Sequence, residues 1–88
     1  MELLEIFRSR LEPSAAEQGV RLEVSGAGGR ELDNREGNLV LLILENLAQN
    51  AIEAAGRGGR VAVRGAETPG VTAFEVIDNG RGLSLIHI

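Results

Sequence analysis

The sequence predicts an α+β domain, a two-layer sandwich with helices on one face of a mixed sheet. Three observations predict it. Two segments carry apolar residues at helical spacing, several shorter ones alternate as strands do, and glycine-rich turns punctuate the chain between them. The order is helix, strand, helix, strand, strand, loop. No internal repeat, linker or low-complexity stretch interrupts it.

The first helix is predicted over residues 2–19. Leu4, Phe7 and Leu11 recur at i, i+3 and i+7, Pro13 kinks or restarts the helix, Ser14 is a cap candidate and Gly19 suits a C-terminal stop. Val20-Arg21-Leu22-Glu23-Val24 alternates strictly, as a half-buried strand does. Residues 26–29 form a turn, and Arg30-Glu31-Leu32 reads as a short return strand.

Asp33 opens the second helix, with Glu36 three positions on in capping-box spacing, and Ala55 is about its end. Leu39 to Leu44 shows no polar face, so these turns are expected to be buried on all sides. Polarity begins at Glu45, and Asn46 and Asn50 then stand one above the other on one face. That face either meets water or lines a pocket. The absence of a polar stripe along the first half favours the pocket.

Residues 56–59 end the helix, Arg60-Val61-Ala62-Val63-Arg64 is a strand with Val61 and Val63 inward, and residues 65–70 are expected to turn. Thr72 to Ile77 returns as a central strand. Counting in twos from Phe74 and Val76 brings Asp78 onto the same inward face. A carboxylate there is costly unless something pairs with it. Asn79-Gly80-Arg81-Gly82 follows, either a hairpin turn or a glycine-rich exit loop.

Composition limits the chemistry. At 88 residues the chain is one domain at most, and with two aromatic residues its core must be aliphatic. A net charge of -4 without a basic run argues against nucleic-acid binding. The absence of cysteine removes disulfides, thiolate zinc sites and thiol nucleophiles. The longest unbroken apolar run is too short to span a bilayer, and no signal peptide opens the chain, so a soluble cytoplasmic piece is the default.

Asn46-Leu47-Ala48-Gln49-Asn50-Ala51-Ile52-Glu53-Ala54 resembles the N-box, and Asp78-Asn79-Gly80-Arg81-Gly82 the G1 box, of the ATP-binding catalytic domain of sensor histidine kinases. The wider superfamily includes type II topoisomerase, chaperone and mismatch-repair ATPases. The resemblance covers nearly all of residues 1–82, and it implies that domain's two-layer fold in incomplete form. It also implies binding of ATP and Mg²⁺. Asn50 would be the metal ligand, its neutral amide oxygen suited to a hard cation whose charge the phosphates balance. Asn46 would sit beside the triphosphate and the metal's water shell. Asp78 would accept from the adenine amino group and reject guanine. Gly80 and Gly82 would let the backbone pass close to the base.

Hydrolysing branches of the superfamily carry a glutamate at the position of Asn46, and an amide cannot act as a general base. The resemblance therefore implies phosphoryl transfer to histidine rather than hydrolysis. Glu45 lies about 100° around the helix from Asn46 and is not that base. No residue of this chain is itself a catalytic candidate; Glu53 and Arg81 read as solvated, and nothing around His87 resembles a phosphoacceptor helix. The implied partners of the parent protein are an upstream dimerisation and phosphoacceptor domain, a response-regulator receiver domain and a second copy in a homodimer. Membrane anchoring of the parent, and serine rather than histidine as acceptor, stay open. The rival readings are an ATP-hydrolysing conformational machine and a degenerate interaction module.

The family continues beyond its G1 box into a lid, a second glycine-rich box, a helix and closing strands. The last residues here, Leu83-Ser84-Leu85-Ile86-His87-Ile88, instead look like a translated sequencing-library adapter, and 83–88 are expected to be non-native. Re-sequencing from intact DNA tests this, and a genuine stop codon after Ile88 contradicts it. Without lid and far wall, the chain is expected to be inactive alone, marginally stable and sticky.

Overall fold

The computed structural model describes residues 3–28, 32–69 and 71–79 in full, and the backbone of 81–87. The order is α1 (Leu3–Glu17), β1 (Arg21–Gly26), α2 (Asn34–Ala55), β2 (Arg60–Thr68), β3 (Val71–Asp78) and β4 (Arg81–His87). The strands form one sheet in the order β1-β2-β3-β4. β1 and β2 are parallel and the other two pairings antiparallel, so the sheet is mixed as expected. The parallel pair requires a crossover, and α2 supplies it.

α1 buries Leu3, Phe7, Leu11 and Ala15, a stripe at four-residue spacing. Pro13 does not restart it: the helix runs through as one element. The residue lies on the exposed face, where the loss of one backbone donor is tolerated. Gly19, at φ +71°, ends the helix: Val20 N–H reaches Ala15 O and Gly19 N–H reaches Ala16 O, a Schellman closure. α2 begins at its predicted cap, with Asp33 Oδ1 accepting from Glu36 N–H at 2.8 Å.

Val40, Leu41, Leu44, Ala48 and Ile52 of α2 pack with the α1 stripe onto Val61, Val63, Phe74 and Val76. This is the core, between the helices and one sheet face. Two ion pairs, Arg60–Glu23 and Arg64–Glu75, lie on exposed or half-buried positions of the sheet.

Further expectations need correction. The Leu39–Leu44 turns are not buried all round: Leu39 is 60% exposed, Leu42 55% and Ile43 39%. An α-helix packed against one layer can bury only one side, and nothing among the described residues covers the other. Residues 65–68 are strand, not turn, because β2 stays in register with β3 as far as Thr68↔Val71. Residues 81–87 are not a loop but pair with β3 as β4, which leaves β3 central. Of the expected return strand, Arg30 and Glu31 lie outside the described residues, and Leu32 is not in a strand but packs against the core. No helix among the described residues is long and apolar enough to cross a membrane.

Candidate functional site

Asp78 closes β3. Thr72, Phe74 and Val76 are buried on the same face, and Val61 of β2 lies opposite it in the register. The inward placement read from the alternation is correct. Asp78 Oδ1 is buried and has no hydrogen-bond partner. A buried acceptor without a donor costs about 1–3 kcal/mol.

Asn46 and Asn50 are exposed, on the side of α2 turned away from the buried Ala48 and Ile52. Leu39, Ile43, Asn46 and Asn50 follow one another at spacings of four, three and four. They form one outer stripe whose first half is aliphatic and second half amide. Asn46 lies near the middle of α2 and Asn50 in its last turns, on the approach to the strand that pairs with Asp78. The C-terminus of α2 leads through residues 56–59 directly into Arg60 and Val61, and Val61 pairs with Asp78. Among the described residues, two concavities lie away from Asn46, Asn50 and Asp78: one of about 450 Å³ between α1 and the strands β1 and β2, lined by Arg8, Glu12, Leu22 and Val24 among others, and a smaller one beside Gly19 and Gly58.

Gly80 lies outside the described residues. Gly82 lies in β4, where Asp78 pairs with Arg81 and Ile77 with Leu83, so Gly82 is the extra residue of a bulge. The segment after Asp78 thus takes the hairpin form, with Asn79 at φ +50°.

Two sets of contacts around the site are not apparent from motif reading. Arg10 Nη1 donates to Glu45 Oε1 at 2.9 Å, Ser14 Oγ to Gln49 Oε1 at 3.0 Å, and Gln18 Nε2 to Ser14 Oγ at 3.3 Å. Glu45 and Gln49 each directly precede one of the asparagines, so this seam runs along the side of α2 next to the outward amides, while the core stripe Val40, Leu41, Leu44, Ala48 and Ile52 sets the rotation. The four-residue spacing of Arg10, Ser14 and Gln18 against Glu45 and Gln49 is the signal in the sequence. The second set is a double backbone tie: Asn79 N–H donates to Arg60 O, and Arg60 N–H donates to Asn79 Oδ1, both at 2.7 Å.

The fold of this arrangement is known from solved structures. The nucleotide-free catalytic domain of histidine kinase ThkA superposes with a TM-score of 0.69 at 20% identity, over 88% of this chain and 53% of that one. The fold is that of a histidine-kinase catalytic domain. ThkA in complex with the response regulator protein TrrA matches equally, over 23% of its length. The cytoplasmic segment of histidine kinase QseC matches with a TM-score of 0.62 at 16% identity, covering 86% of this chain and 49% of that one. The chain spans about half the length of the solved catalytic domain it matches. No family model matches it, and no curated protein matches it by sequence.

Proposed function

We propose that this chain is the nucleotide-binding portion of a histidine-kinase catalytic domain, whose parent binds Mg·ATP and supplies the γ-phosphoryl group for autophosphorylation on histidine. The observation that carries the reading is Asp78 Oδ1, a buried acceptor without a donor at the end of the central strand. An adenine amino group is a donor of the required kind, whereas guanine offers a carbonyl there.

Asn50 supplies a neutral amide oxygen for Mg²⁺, and Asn46 a second amide one turn away for the phosphates. Both are exposed and can reach a ligand lying over the outer face of α2. No cluster of three or more acidic or histidine side chains among the described residues could hold a metal. One protein amide plus phosphate oxygens is the donor set that this reading assigns to the ion. When bound, the ion offsets phosphate charge. The chain's own part is to orient the base through Asp78 and the phosphates through the two asparagines. Gly80 and Gly82 would lie along the base. Asn46 is an amide and cannot act as a general base, which supports transfer over hydrolysis.

A response-regulator receiver domain, an upstream phosphoacceptor domain, a homodimeric parent and a cytoplasmic location complete the proposal; the complex of ThkA with TrrA supports the first of these. Alone, this chain binds nucleotide weakly and transfers no phosphoryl group. The test is binding of ADP and GDP to the wild-type chain and to Asp78→Ala. The reading expects weak binding of ADP, weaker binding of GDP, and loss of the preference in the variant. Equal binding of the two nucleotides by the wild type contradicts it.

A further inference from the structure

We infer that Asn79 is the residue that positions the Asp78 carboxylate, through a two-way tie to the backbone of Arg60. The inference deepens the proposed adenine site and rests on that reading for its functional consequence.

Asp78 is the last residue of β3, and its two neighbouring strands hold it unequally. On the β4 side the ladder is irregular: the register shifts between Ile77 and Asp78, and Gly82 is bulged. The bulge leaves Gly82 unpaired and bends the strand, so on this side Asp78 pairs with Arg81 out of the regular register. On the β2 side the hold is tight. Asn79 N–H donates to Arg60 O and Asn79 Oδ1 accepts from Arg60 N–H, each at 2.7 Å. One residue thus uses both backbone groups of Arg60. Arg60 is itself tied to β1 by its side chain, with Nε 3.1 Å from Glu23 Oε1. The contacts Glu23–Arg60 and Arg60–Asn79 link three strands beside the buried carboxylate, the Arg60–Asn79 pair being the firmer of the two.

The identity of residue 79 follows from two requirements. Its φ of +50° is left-handed, which glycine, asparagine and aspartate tolerate and most side chains do not. Its side chain must also place an acceptor on Arg60 N–H. Glycine meets the first requirement only, and alanine meets neither. Asparagine and aspartate meet both. The consequence is that Asp78 keeps its unpartnered oxygen aimed into the sandwich before any ligand arrives, which preorganises the site.

The experiment compares the wild-type chain with Asn79→Gly and Asn79→Asp by NMR, first without ligand and then with ADP and GDP. Without ligand, Asn79→Gly is expected to speed exchange of the Arg60 amide roughly tenfold, about the effect of one lost hydrogen bond. It is also expected to move the Asp78 carboxyl carbon resonance. The Val63 and Val76 amides should keep their protection, and Asn79→Asp should restore both signals. With ligand, Asn79→Gly is expected to lower the preference for ADP over GDP, and Asn79→Asp to retain it. An unmoved Asp78 carboxyl signal in Asn79→Gly overturns the inference, whatever the nucleotides do. Loss of Val63 and Val76 protection along with that of Arg60 overturns it too, since the role is then general stability. If the ligand-free signals behave as expected but the wild type shows no preference for ADP, the positioning stands and the adenine reading fails.

Discussion

Ser14 Oγ lies 3.0 Å from Gln49 Oε1, one turn along from the Arg10–Glu45 pair, and both contacts join residues 35 apart in sequence. A constant offset means that α1 and α2 run parallel in a fixed register. Glu45 and Gln49 are the side chains immediately before Asn46 and Asn50. The amide-bearing face of α2 thus lies beside a seam on the neighbouring side of the same helix.

The Arg10–Glu45 pair is expected to contribute little stability despite its geometry. The side chains are 57% and 24% exposed, and exposed pairs couple by about 0.2–1 kcal/mol, less in high salt. A double-mutant cycle with Arg10→Ala and Glu45→Ala should return a coupling in that range at low ionic strength and near zero at molar salt. A salt-independent coupling of several kcal/mol would contradict this.

Phe74 is fully buried and lies at the centre of the sheet, and Phe74→Ala is expected to cost about 3–5 kcal/mol. That is comparable with the whole stability of a domain this small. Thermal melting followed by circular dichroism should show the variant largely unfolded at 25 °C. A cooperative melt with an unchanged midpoint would place the core elsewhere.

Asp33→Ala should lower stability by about 1 kcal/mol, because it removes the acceptor for Glu36 N–H. Asp33→Asn, which keeps an acceptor, should cost far less. Chemical denaturation measures both, and equal losses would rule out a capping role.

Leu39, Leu42 and Ile43 form a contiguous exposed aliphatic surface. Replacing all three by glutamine is expected to reduce concentration-dependent association in sedimentation while changing the melting midpoint little, since exposed helix positions rarely matter by more than about 0.5 kcal/mol each. A collapse of the cooperative transition would show that these residues belong to the core.

The sequence makes much of this structure readable. Strict alternation marked β1 and the inward turn of Asp78, and Asp33 and Gly19 marked helix ends through chemistry local to a few residues. What periodicity could not convey was which outward faces meet another layer. Leu39 to Leu44 looks wholly buried because every position is apolar, yet only Val40, Leu41 and Leu44 find neighbours. Residues 65–68 looked like a turn because Gly65 is a strong turn signal, but the pairing with β3 carries the strand through it. Asn79 was legible as a turn residue, while its tie to Arg60 depends on a strand pairing that no local signal encodes.

The adenine assignment is tested most directly by mapping amide chemical-shift changes in the 88-residue chain as ADP is added. The account predicts that the largest changes fall at Val61, Asp78 and Asn79, with further changes at Asn46 and Asn50 when Mg²⁺ is present. Changes centred instead on Arg8, Leu22 and Val24, around the cleft between α1 and β1, would contradict it.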